Sequence, residues 1–193
     1  MIFLKIVTPL LQDLQTGAAR QSNVIATKIT AMTKLLMVCM GNICRSPMAQ
    51  IVAQKLTSDA MCSHQLMFDS AGTHAHRLGE PSDPRAQAAL SSHGYDAGRI
   101  RSRKITQLDF QNFDMLLAMD ARNLHELRRL SPPEHLNKLR LFLTFAEGLN
   151  ETEVADPYYG NREGFERVLT LCEAGARGLI KHWTAQRLSA SPF

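Results

Sequence analysis

The stretch Leu35-Leu36-Met37-Val38-Cys39-Met40-Gly41-Asn42-Ile43-Cys44-Arg45-Ser46-Pro47 decides how this chain is read. Residues 35–38 are an unbroken apolar run, the mark of a strand buried on both faces of a parallel sheet. Ser46 and Pro47 open a helix, and Pro47 suits the first helical position, whose N–H has no partner in any helix. Met48, Ile51, Val52 and Leu56 continue that helix at spacings of three and four. A short loop, from Cys39 to Arg45, joins the two elements.

Working outward, residues 66–69 read as a second strand closed by Ser70-Ala71-Gly72, residues 113–119 as a third and residues 139–142 as a fourth. Asp83-Pro84 opens a helix that stops near Gly94. Another helix runs from Asp120 or Ala121 to about Leu130, and Pro132-Pro133 breaks the chain after it. The last element, residues 164–186, is a helix with Phe165, Val168, Leu169, Cys172 and Ile180 as its buried stripe. Strands alternating with helices imply right-handed crossovers. The expected fold is α/β, in three layers: a four-stranded parallel sheet with helices on both faces. Ligands of such folds sit beyond the carboxyl ends of the strands, where the loop after Val38 lies.

The 193 residues are enough for one domain, and 45% hydrophobic with 21% charged residues suits a buried core under a solvated surface. The net charge of +4 sits mostly at one end, because residues 1–34 carry Lys5, Arg20, Lys28 and Lys34 against Asp13 alone. The nearly neutral remainder lacks the basic face that nucleic acid requires. No run approaches the roughly 18 apolar residues of a membrane-spanning helix. Residues 1–12 are apolar but broken by Lys5 and Pro9, which makes a poor signal peptide. Residues 1–33 therefore read as a flexible or dispensable extension ahead of a domain at 34–193. Cys39, Cys44, Cys62 and Cys172 are too few and too scattered for a disulfide scaffold, which suits a reducing cytoplasm. They form no zinc cluster, and no ligand set completes His74 and His76, so neither metal nor cofactor is expected.

The chemistry lies in the loop. A phosphate dianion needs several donors converging from one side, and the backbone N–H groups of a tight loop supply them, with Gly41 giving conformational freedom. The helix that follows adds its unpaired N–H groups and the positive end of its dipole. Arg45 offers a planar fork for two phosphate oxygens. The same field stabilises negative charge on the Cys39 sulfur, which makes it a nucleophile. Ser46 can bond that sulfur when it attacks and again when it leaves. Transfer of phosphate to sulfur also needs a proton donor for the departing oxygen, and Asp156 in Asp156-Pro157-Tyr158-Tyr159 fits that part. Tyr158 and Tyr159 offer flat walls for an aromatic substrate.

These residues carry a resemblance. The run from Val38 to Pro47, with Asp156-Pro157-Tyr158-Tyr159 near the other end, resembles the low-molecular-weight protein tyrosine phosphatases. Asp69-Ser70-Ala71-Gly72-Thr73 and Pro84-Arg85-Ala86 look like family segments too. The likeness implies phosphotyrosine hydrolysis through a phosphocysteine, with Cys39 as nucleophile, Arg45 as phosphate clamp and Asp156 as general acid, then base. Met40, Gly41, Asn42, Ile43, Cys44, Arg45 and Ser46 would form the phosphate loop, with Asn42 holding its shape. Cys44 resembles a second loop cysteine that either forms a reversible disulfide with Cys39 or only packs. His76 falls where animal members carry a tryptophan beside the pocket, and Ile100 where many members have a histidine bonding the loop asparagine. Residues 70–89 look like the bacterial branch, whose substrates include tyrosine-phosphorylated kinases. The partners implied are tyrosine-phosphorylated proteins, without nucleic acid or membrane, and the chain would be a monomer or weak dimer.

Two related chemistries compete. A thiol-dependent arsenate reductase shares the loop but needs further cysteines close together, and Cys62 and Cys172 are far apart in sequence. A phosphoarginine phosphatase tends to carry threonine where Ile43 stands. A catalytically dead phosphotyrosine-binding module would be expected to lose Cys39, Arg45 or Asp156, and all three are present.

Overall fold

The computed structural model describes residues 32–190, so the expected extension falls outside it except for Met32 and Thr33. Met32–Ala185 is one compact unit, and the helix end 186–190 belongs to a second. The first strand, β1 (Thr33–Cys39), is central. It pairs in parallel with β2 (Leu66–Gly72) on one side and β3 (Met115–Ala118) on the other, and β4 (Leu139–Leu141) lies beyond β3. All three pairings are parallel, as the alternation of elements implied. The chain thus crosses β1 between β2 and β3, which leaves a crevice at the carboxyl end of β1.

Because successive strand side chains point to opposite faces, the apolar run of β1 serves two cores. Leu35 and Met37 pack with Met48, Val52, Leu90, Phe165 and Leu169, from helices α1 (Arg45–Asp59), α2 (Pro84–Ser92) and α5 (Arg162–Ala190). Leu36 and Val38 pack with Phe110, Phe113, Leu124 and Leu127, under helices α3 (Gln107–Asn112) and α4 (Ala121–Leu130). All four β1 side chains are at most 2% exposed. Cutting Leu35, Leu36 or Met37 back to alanine is therefore expected to cost about 2–5 kcal/mol.

Several boundaries differ from the sequence reading. β2 runs on through Ser70-Ala71-Gly72, because those residues pair with Met37, Val38 and Cys39. α1 starts at Arg45, so Pro47 is its third residue and not its first. The position costs nothing, since N–H groups of the first turn have no helical partner. β3 is shorter than expected because α3, which the apolar pattern did not reveal, ends against Phe113, whose N–H donates to the Asp109 carbonyl at 3.1 Å. β4 stops at Leu141, where a 3-10 turn (Phe142–Phe145) drives Phe142 into the core against Gly175. A Cβ on Gly175 would lie 2.6 Å from that ring.

Candidate active site

Cys39 is the last residue of β1 and only 2% exposed. Its Sγ lies 3.0 Å from Ser46 Oγ and accepts from the Asn42 N–H at 3.2 Å. The Asn42 side-chain amide donates to Ser46 Oγ at 3.0 Å and to Ser70 Oγ at 2.9 Å. Because Ser46 Oγ accepts from Asn42, its own hydrogen is left for the sulfur at 3.0 Å or the Ala71 carbonyl at 3.4 Å. The shorter contact favours the sulfur.

The residue that needs an unusual backbone here is Asn42, at φ 54°, and not Gly41 as the sequence reading held. A Cβ on Gly41 would meet only Ile43, at 3.6 Å, an ordinary contact. The steric demand falls instead on Gly72 at the end of β2. A Cβ there would lie 2.7 Å from the Met40 carbonyl oxygen and 3.1 Å from the Asn42 nitrogen.

Ile100 packs against the core and gives the loop no hydrogen bond. The support comes from the next turn of chain. The Arg103 N–H donates to Asn42 Oδ1 at 2.8 Å, and Ser102 Oγ donates to the Gly41 carbonyl at 3.0 Å. The Arg103 guanidinium is in turn held by Asp69 and Asp109 through four hydrogen bonds of 2.8 to 3.1 Å.

Arg45 is 2% exposed, and three hydrogen bonds hold its fork. Nη1 donates to Asp120 at 2.5 Å and to the Val154 carbonyl at 3.2 Å, and Nη2 donates to Asp156 at 2.6 Å. Burial works against its charge, but the Cys39 sulfur, Asp120 and Asp156 more than offset this and hold the guanidinium above its ordinary value. Asp120 also caps α4 by accepting from the Asn123 N–H at 2.6 Å. Asp156 accepts from the Tyr158 N–H at 3.2 Å, a turn that fixes the carboxylate beside Arg45.

A cavity of about 270 Å³ lies over the sulfur. Of the residues expected at the site, Cys39, Met40, Gly41, Ile43, Cys44, Arg45, His76, Asp156, Tyr158 and Tyr159 all line it. Asn42 and Ser46, 1% and 0% exposed, stand behind the sulfur. The two tyrosine rings meet edge-on at 5.0 Å, and Arg77 donates to the Tyr158 hydroxyl at 3.4 Å. Asp120, Ser70, Arg77, Ser102 and Arg103 are the residues that sequence reasoning missed. The sequence marks Asp120 as a helix start and Ser70 as part of a strand end; Asp120 also accepts from Arg45, and Ser70 also accepts from Asn42.

Cys44 is buried near Cys39. Burial, with the negative charges of Asp83, Cys39 and Asp156, pushes its thiol up to about 12. All four cysteines are free. Cys172 is wholly buried within α5, and the same burial raises its thiol further still. Among the described residues no group of three or more His, Cys, Asp or Glu is placed to hold a metal ion, and no helix is long and apolar enough to cross a membrane.

The parallel sheet, the tight loop at its carboxyl edge and the buried thiol beside that loop define an α/β protein with its main pocket at the end of the central strand. A family model described as low molecular weight phosphotyrosine protein phosphatase matches residues 34–189, and the chain belongs to that family. It is 41% identical over 150 residues to a low molecular weight protein-tyrosine-phosphatase of Streptomyces coelicolor, covering 76% of this chain and 91% of that one. It is 37% identical over 152 residues to the human low molecular weight phosphotyrosine protein phosphatase, covering 78% and 96%. Among solved structures, a protein tyrosine phosphatase from Entamoeba histolytica with Hepes in its active site superposes with a TM-score of 0.78 at 37% identity, over 80% of this chain and 99% of that one.

Proposed function

We propose that this chain hydrolyses phosphotyrosine and other aryl phosphate monoesters through a phosphocysteine intermediate. One arrangement carries the reading: Cys39 Sγ lies 3.0 Å from Ser46 Oγ at the base of a cavity that Arg45 and Asp156 also line. In the first half-reaction the sulfur attacks phosphorus, so that a P–S bond forms and the P–O bond to the ring breaks. Protonated Asp156 gives its proton to the departing phenolic oxygen. The loop N–H groups and the Arg45 fork hold the three remaining oxygens. Arg45 does this by exchanging Asp156 for a phosphate oxygen at Nη2 while Asp120 keeps Nη1.

In the second half-reaction the Asp156 carboxylate takes a proton from water, whose oxygen attacks phosphorus. The P–S bond breaks, inorganic phosphate departs, and the sulfur leaves as a thiolate bonded by Ser46. His76, Tyr158 and Tyr159 flank the ring of the substrate. Under peroxide, which converts the nucleophile to a sulfenic acid, Cys44 closes a disulfide with Cys39 and releases water. Cys172, buried within α5, and Cys62, in the turn beyond α1, offer no thiol relay of the kind arsenate reduction needs. Tyrosine-phosphorylated proteins, a bacterial tyrosine kinase among them, are the partners we assign, in a cytoplasm that keeps the thiols free. Thr33 belongs to β1, so only the extension ahead of that strand is dispensable to this chemistry.

Steady-state hydrolysis of p-nitrophenyl phosphate tests the reading. Cys39→Ser is expected to abolish turnover while phosphate still binds, and turnover undiminished in that variant would refute the mechanism. Asp156→Ala is expected to lose about 10²–10⁴-fold in kcat, least for the best leaving groups.

A further inference from the structure

A second cavity, of about 480 Å³, adjoins the first, and Met40, 49% exposed, lines both. His74, just past β2, forms one wall, and Arg122, His125 and Glu126 of α4 form the other. At the start of α4 the Asp120 carboxylate already takes the Asn123 N–H. The side chains decide the character of the site. Glu126 is engaged by Arg129 through two hydrogen bonds of 2.9 and 3.0 Å. Arg122 makes no hydrogen bond or ion pair among the described residues. The cavity therefore presents the unpaired Arg122 guanidinium next to the catalytic pocket, while the two imidazoles share the charge of Glu126 with Arg129.

We propose that this cavity is a subsite for an acidic side chain two positions from the phosphotyrosine, read by Arg122. The proposal rests on the phosphatase reading above. In an extended peptide, side chains two apart lie on the same face, separated by about 7 Å. With the phosphotyrosine seated over Cys39, such a neighbour crosses Met40 and enters the second cavity. A glutamate there meets Arg122, and a lysine meets a like charge.

The test compares two phosphotyrosine peptides, with Glu or with Lys at both positions two residues from the phosphotyrosine, against phenyl phosphate, which is too small to cross Met40. The wild-type chain is expected to favour the Glu peptide in kcat/KM by about three- to tenfold, the range of one exposed charge pair gained against one repulsion. Arg122→Glu is expected to invert that ratio and leave phenyl phosphate turnover unchanged. If that variant lost phenyl phosphate turnover too, Arg122→Gln would carry the test by abolishing the preference. Arg128→Glu makes the same charge change on α4 outside the cavity and is expected to move the ratio by less than about twofold, since screening removes distant charges. No preference in the wild type, a ratio untouched by substitution of Arg122, or an equal shift from Arg128→Glu would each overturn the subsite while leaving the phosphatase reading intact. Absence of phenyl phosphate turnover in the wild type would instead remove the phosphatase reading, and this one with it.

Discussion

Ser46→Ala is the perturbation that separates holding the sulfur from shaping the loop. Ser46 is fully buried, and its Oγ sits 3.0 Å from both Cys39 Sγ and Asn42 Nδ2. A hydrogen bond to a charged group contributes about 1.5–3 kcal/mol, which corresponds to roughly 12- to 160-fold in a rate that depends on it. On the proposed path the sulfur acts twice, first as attacking group and then as leaving group. The second occasion lies on the path to phosphocysteine breakdown, so that step should slow by the larger factor. The loop itself should suffer less, because Asn42 keeps Ser70 at 2.9 Å and the Arg103 N–H at 2.8 Å. Stopped-flow release of p-nitrophenol is the assay. The variant should show a burst of nearly one equivalent followed by slow turnover, and acid quench should recover phosphate on Cys39. Loss of kcat and kcat/KM in equal measure, with no burst, would refute the reasoning and make Ser46 a packing residue.

Gly72→Ala places a methyl 2.7 Å from the Met40 carbonyl oxygen, and that neighbour is backbone, which cannot swing away. It should cost about 1–3 kcal/mol in thermal or denaturant unfolding and lower phosphate affinity, whereas Gly41→Ala, with only Ile43 at 3.6 Å, should do neither. Cys44 sets a pH dependence. Its thiol is raised from 9.0 to about 12, so the folded state holds that proton more tightly than the unfolded chain does. The stability this represents is complete below pH 9 and is lost as pH rises towards 12. Between pH 8 and 10.5 the wild type should lose about 2 kcal/mol that Cys44→Ala does not lose, read from urea midpoints.

Much of this protein was legible before any coordinates. The apolar run at residues 35–38 announced a strand buried on both faces, and the helix from Ala121 to Leu130 was bounded by Asp120 before it and the Pro132-Pro133 pair after it. The reading failed where local pattern and tertiary pairing disagree. Ser70-Ala71-Gly72 looks like a strand ending in turn residues, yet pairing with β1 extends the strand through it. α3 is six residues long and mostly polar, so it carries no apolar period, although Thr106 and Asp109 mark its start by bonding at 2.7 Å.

The residue types and spacing of one loop were enough to place a buried thiol at a strand end, an arginine six residues later at a helix start and an α/β frame beneath them, because those properties depend on neighbours along the chain. Only the tertiary structure decided what holds the loop in shape. Asn42 is gripped by Ser70, 28 residues away, and by Arg103, 61 residues away. Arg45 is anchored by Asp120, 75 residues away, and by Asp156, 111 away. Such partners are chosen by strand pairing and core packing, and contacts made across the fold leave no period in the sequence.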